Sequence, residues 1–221
     1  MRQLTVLLGV FAVVAGVLAA PAAADVTRST VHGTSAYAMF EVPGGTLVIS
    51  AFDANAYQDG TGVSHAAFVY AELFSLECTP DGLTCTGKDW LASATLDDGD
   101  AVRIAGDLWT ASLGPLVVDA RKLTCIDTYE PGGDGFPVST SCTQVTEPTT
   151  LSGSWAATGQ IADYHDSRVT DQDGVHTVFT AAGVSRPATA TAEAFGTSYA
   201  NPTSAVITRD GSLEVTRTPR S

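Results

Sequence analysis

Residues Ser64 to Leu76 read Ser-His-Ala-Ala-Phe-Val-Tyr-Ala-Glu-Leu-Phe-Ser-Leu, and whether they coil or extend decides the fold class. Apolar residues run through the stretch almost without a break, and Ala71-Glu72-Leu73 has good helix propensity. Against that stand Phe68, Val69, Tyr70 and Phe74, whose aromatic and β-branched side chains suit a pleated surface. The segment therefore reads as a buried strand. With its one helical contender removed, the chain reads as all-β.

The flanking sequence repeats that reading. Asp-Gly dipeptides occur at Asp59-Gly60, Asp81-Gly82, Asp98-Gly99, Asp134-Gly135, Asp173-Gly174 and Asp210-Gly211, and Pro43-Gly44-Gly45 adds another turn. Asp-Gly supplies the positive φ angles that tight hairpins need. Between the turns, residues alternate in twos. Ser35 to Val42 puts Ala36, Ala38, Phe40 and Val42 on one side; Asp100 to Trp109 groups Val102, Ile104 and Leu108; Ala188 to Ala194 alternates Ala with Thr or Glu. Ile207 to Val215 reads as a hairpin turning at Asp210-Gly211. The expectation is one antiparallel β-sandwich or barrel-like domain of about 10–12 strands.

Four cysteines, Cys78, Cys85, Cys125 and Cys142, carry the next inference. Cys78 and Cys85 bracket a Pro80-Asp81-Gly82 turn, so they fall opposite each other or one residue out of register, close enough to bridge. Cys125 and Cys142 flank Pro131-Gly132-Gly133-Asp134-Gly135-Phe136-Pro137, a stretch of breakers that a staple would close. The expected bridges are Cys78–Cys85 and Cys125–Cys142. Zinc is not expected, because no closely spaced Cys or His pair exists. Neither Asp171-Gln172-Asp173-Gly174 nor Gly132-Gly133-Asp134-Gly135 has calcium-loop spacing. No metal and no cofactor is expected.

Residues 1–24 hold one charge, Arg2, then an uncharged stretch rich in Leu and Val, ending Pro21-Ala22-Ala23-Ala24 before Asp25. This is the pattern of a secretory signal with a small-x-small cleavage site. The expectation is export, a mature single domain of residues 25–221, and no stable membrane insertion afterwards. Even cysteines in an exported chain fit disulfides. The 221 residues contain 11 basic and 24 acidic side chains, a net charge of −13. Losing Arg2 leaves 10 basic against 24 acidic, or −14. Such a surface repels phosphate backbones, and no basic stripe is present, so nucleic acid is not expected as a partner. The acidity reads as solubility outside the cell.

Chemical motifs are sparse. Gly62-Val63-Ser64-His65-Ala66 lacks the second glycine of a nucleophile elbow, and consecutive strand residues point to opposite faces, so Ser64 and His65 form no dyad. No phosphate-cradling glycine loop appears. The densest polar cluster runs from Asp163 through His165, Asp166, Arg168, Asp171 and Asp173 to His176, with Asp163 and His165 on one strand face as an acid-base candidate pair. The simpler reading is a solvated hairpin.

Gly-x-x-Trp-x-Ala-Ser occurs at residues 87–93 and 106–112, with a looser copy at Gly153-Ser154-Trp155, and reads as recurrent strand chemistry. Trp90 and Trp109 are symmetric about the Gly99-Asp100 junction. A tight turn there makes them cross-strand or diagonal neighbours on one face, beside Lys88 and Arg103. That face would be a platform for an extracellular carbohydrate or protein, unless a second sheet covers it; Trp155 reads as core. The expected function is a secreted, disulfide-stapled, non-catalytic binding or surface-interaction module. The alternatives are a small secreted hydrolase using the Asp163–His176 hairpin and a protease inhibitor presenting the Glu130 to Val138 loop.

Overall fold

The computed structural model describes residues 27–58, 61–96, 101–133, 135–172 and 175–219. The leader, the expected cleavage site at Asp25, and the Asp59-Gly60, Asp98-Gly99 and Asp173-Gly174 turns lie outside the described residues, as does Asp134. The elements are β1 (Thr27–Val42), β2 (Gly45–Gln58), β3 (Thr61–Cys78), β4 (Thr84–Leu96), β5 (Val102–Ile104), β6 (Thr110–Thr128), β7 (Ser139–Ala157), β8 (Ala162–Gln172), β9 (Val175–Ala194), β10 (Thr197–Ala200) and β11 (Ser204–Pro219). The ambiguous Ser64–Leu76 stretch is part of β3, paired with β2 and β4.

All pairings are antiparallel, and the sheet closes on itself in the order β1-β2-β3-β4-β6-β7-β9-β11 and back to β1. The fold is therefore a barrel, sealed where the first strand pairs with the last. β7 and β8 lie end to end along one edge of β9: Ser152 to Ala157 pair with Glu193 to Ala188, and Ala162 to Gln172 with Ser185 to Val175. β5 and β10 are short additions on β6 and β9.

An eight-strand ring has an interior that side chains alone can fill. Strand alternation delivers that filling. Ala36, Ala38 and Phe40 of β1, Leu47, Ile49 and Ala51 of β2, Ala67, Val69, Ala71 and Leu73 of β3, and Ala190, Ala192 and Ala194 of β9 are all buried in one core. The walls are dominated by alanine, which leaves room for inserted bulk. Trp155, Leu151 and Leu108 supply much of it, all almost inaccessible. β5 also contacts β1 and β2, and its Val102 joins the core.

Two features differ from the sequence reading. Asp210-Gly211 is not a hairpin turn. β11 runs straight through it, and the register against both β1 and β9 shifts there, between Val31 and Gly33 on one side and between Asp210 and Ser212 on the other. The same Asp-Gly flexibility that permits a turn permits a bulge, and strands on both sides select the bulge. Second, β4 does not form a hairpin with β5. β4 pairs with β6 from Thr84 to Ala92, while Val102 to Ile104 pair with Leu113 to Ala111 of the same long strand.

Both staples form as the turn chemistry implied. Cys78 faces Cys85 and Cys125 faces Cys142 directly across their ladders. The tighter turn centres on Pro80-Asp81, with Gly82 N–H donating to Thr79 O at 2.8 Å and Gly82 at φ 71°. Asp81 accepts from Thr79 Oγ1 and from Leu83 N–H, and these bonds hold its carboxyl below the usual carboxylate range. β4–β6 pairing sets the two stapled tips side by side, and Tyr129 N–H donates to Leu83 O at 2.9 Å.

Candidate functional site

The four residues expected to share a platform are divided between two parts of the barrel. Trp90 stands in β4 between Leu73 of β3 and Lys122 of β6. It is half-buried and packs on the core. The β9–β10 turn, Phe195-Gly196, has positive φ at both residues, the backbone of a type I′ hairpin. It folds Phe195 over the indole edge-on at 5.8 Å. Lys122 lies 4.8 Å and Lys88 5.8 Å from the ring centroid, and Nε1–H donates to Thr124 Oγ1 at 3.2 Å. Lys122 pairs with Glu147 and Lys88 with Glu77. The ring is thus enclosed by an aromatic, two paired cations and a hydroxyl.

Trp109 is different. It lies in the turn between β5 and β6, not on a strand, and remains 47% exposed. The turn is unusually well anchored. Leu108 adopts φ 60°, a left-handed conformation that costs a branched residue about 1–2 kcal/mol. Its side chain is fully buried in the lumen, and its N–H donates to Ala105 O at 2.8 Å. Trp109 N–H donates to Asp107 Oδ1 at 3.1 Å, and Trp109 O accepts from Ala157 N–H at 2.9 Å. Arg186 of β9 lays its guanidinium 4.1 Å from the Trp109 ring centroid while donating to Asp107 O and Gly159 O, both at 3.1 Å. Arg209 of β11 donates to Gly106 O at 3.0 Å. Two arginines, one from β9 and one from β11, thus tie down the carbonyls of a strained turn, and Arg186 backs its tryptophan.

Arg103 is exposed on β5, opposite Ser112, and joins the Trp109 end of the molecule; Lys88 stays with Trp90. The expected Trp90–Trp109 adjacency fails because Trp90 is flanked by Leu73 of β3 and Lys122 of β6, while Trp109 lies off the strands in the β5–β6 turn. The shared Gly-x-x-Trp motif is equally misleading: its tryptophans occupy a strand, a turn and, for Trp155, the core at 1% exposure. Arg186 was invisible to sequence reasoning, because nothing in its spacing connects it with Trp109.

The polar cluster on β8 and β9 resolves into local pairs. Asp163 and His165 are both exposed, and no hydrogen bond joins them. Arg168 pairs with Asp166 at 3.1 Å, and His176 Nδ1 meets Asp171 Oδ1 at 2.7 Å directly across the hairpin. Tyr164 O–H donates to Asp210 at the β11 bulge. Burial pushes the Asp210 carboxyl up to about 6, partly offset by His32. Among the described residues no three His, Cys, Asp or Glu side chains are grouped to hold a metal ion.

The loop from Glu130 to Val138 projects from the second staple. With the first staple's tip it borders an open cleft of about 510 Å³, lined by Asp81, Leu83, Tyr129, Glu130 and Phe136 among others. Comparison with protein-family models, with curated proteins and with solved structures finds no match.

Proposed function

We propose that the protein is a secreted, non-catalytic binding module that holds an extracellular carbohydrate or protein on Trp109. The observation that supports this reading is the clamped but exposed indole. A tryptophan left half in water forgoes about 1–2 kcal/mol of burial, yet this turn orders it with a strained residue, two arginines and the three hydrogen bonds made by the Leu108 and Trp109 main chain. A rigid aromatic loses little conformational entropy on contact, which is what an anchor residue needs. Two disulfides fit an oxidising, extracellular setting.

The test titrates the purified mature chain against a glycan array and follows hits by tryptophan fluorescence. Binding that Trp109→Ala abolishes and Trp90→Ala preserves supports the reading. Turnover of ester, glycoside or peptide substrates by the wild-type chain refutes its non-catalytic part. A ligand bound equally well by Trp109→Ala refutes the site.

A further inference from the structure

The stapled β6–β7 hairpin carries an unpaired sheet edge. β7 pairs with β6 from Ser139 to Ala156, with a register shift after Leu151, but with β9 only from Ser152 to Ala157. On its other side, residues 139–151 have no strand beside them among the described residues, and Ser139 to Pro148 are all exposed. The Cα atoms of Cys125 and Cys142 are 4.1 Å apart, the short spacing of a non-hydrogen-bonded antiparallel pair. Cys142 therefore turns its N–H and C=O away from β6. By alternation Thr140, Gln144 and Thr146 do the same, so the open edge presents a row of ready donors and acceptors. The donor row ends at Pro148, which has no N–H.

Such an edge is ordinarily defended by charge. β8, which pairs only with β9 among the described residues, carries Asp163, Asp166, Arg168 and Asp171. β5 and β10 are three and four residues long. From Ser139 to Thr146 β7 has no charged residue at all, in a chain of net charge −13. Its composition, Ser-Thr-Ser-Cys-Thr-Gln-Val-Thr, suits a strand, and the disulfide holds it in register before any partner arrives.

We propose that this edge pairs with the same edge of a second copy, joining two β4–β6–β7 sheets into one across a two-fold axis. The sequence is self-complementary in that arrangement. Centred on Thr143, Thr140 faces Thr146 of the second copy, Cys142 faces Gln144, Ser141 faces Val145 and Ser139 faces Glu147. No like charges meet. Pairing β8 with itself about Ser167 would instead set Asp163 against Asp171. A single strand pair buries an area at the low end for specific interfaces, so the dimer is weak and appears at roughly 0.1–1 mM protein. The acidity of both copies opposes it, so salt strengthens it.

Sedimentation velocity of the mature chain, from about 10 μM to 1 mM at low and high salt, tests this. The expected result is a mass rising towards that of a dimer, at lower concentration in high salt. Gln144→Pro removes an outward donor while leaving the β6 ladder intact, and should weaken association at least tenfold with an unchanged thermal midpoint. Thr143→Lys and Thr143→Glu should each stay monomeric at low salt and dimerise when mixed. A wild-type chain monomeric at 1 mM in high salt overturns the proposal. So does a dimer that Gln144→Pro leaves unchanged, or a mixture of the two Thr143 variants that stays monomeric.

Discussion

Replacing Asp210 with Asn tests how the barrel seam is held. Asp210 sits where β11 bulges between β1 and β9, opposite Gly33 and Gly183, with the Tyr164 hydroxyl donating to it. Burial pushes its carboxyl up to about 6 in the folded chain, from an ordinary value of 3.8, with His32 opposing the rise. The folded state thus holds the proton more tightly than the unfolded state. The stability from that proton is fully present below about pH 4 and is lost as pH rises through about 6. The rise from 3.8 to about 6, at 1.36 kcal/mol per pH unit, sets a ceiling of about 3 kcal/mol. Solvent contact at this half-buried group reduces the expected effect to about 1–2 kcal/mol. Asn keeps the shape and accepts the tyrosine hydrogen bond without a charge. Urea denaturation of wild type and Asp210→Asn should therefore give similar stabilities near pH 4, with the variant more stable by about 1–2 kcal/mol at pH 7.5. A difference that stays flat from pH 4 to 7.5, or a variant less stable at pH 7.5, refutes the argument.

Other substitutions probe the lumen, the staples and the clamped turn. A Cβ on Gly153 would lie 2.5 Å from Cη2 of the buried Trp155 ring, so Gly153→Ala should cost about 1–3 kcal/mol in chemical denaturation. Converting Cys125 and Cys142 together to Ser opens a closed segment with a sequence separation of 17 and should lose about 3 kcal/mol in the chain-entropy model. The same change at Cys78 and Cys85, separated by 7, should lose less, and calorimetry of the two double variants orders them. Arg186→Ala removes the guanidinium from Trp109 and two hydrogen bonds to carbonyls; a loss of about 1–2 kcal/mol with a shift in tryptophan emission is expected.

How much of this was legible depended on range. Alternation exposed the core faces of β1 and β9 because Ala36, Ala38, Phe40 and Ala190, Ala192, Ala194 declare a period of two within one strand. The disulfides were legible because each is closed by its own hairpin. Asp210-Gly211 was not, since a turn and a bulge need the same backbone freedom and only flanking strands decide between them. The Trp90–Trp109 pairing failed for a related reason. It assumed that neighbours in sequence pair in space, whereas β6 is long enough to take both β4 and β5. Ring closure, the clamp from Arg186 and Arg209, and the Phe195 cover on Trp90 all join residues far apart in the chain, where no local pattern records them. The choice between sandwich and barrel was likewise left open by strand count and settled by β1 meeting β11.

In the proposed function Trp109 is a preorganised anchor, whereas Trp90 packs on the core. Fluorescence quenching by iodide, measured on wild type, Trp90→Phe and Trp109→Phe with and without a ligand identified on the glycan array, tests it most directly. Trp109 should supply most of the quenchable emission, ligand should protect it, and Trp109→Phe alone should remove both the quenching and the protection. Ligand protection that survives in Trp109→Phe and disappears in Trp90→Phe would contradict it.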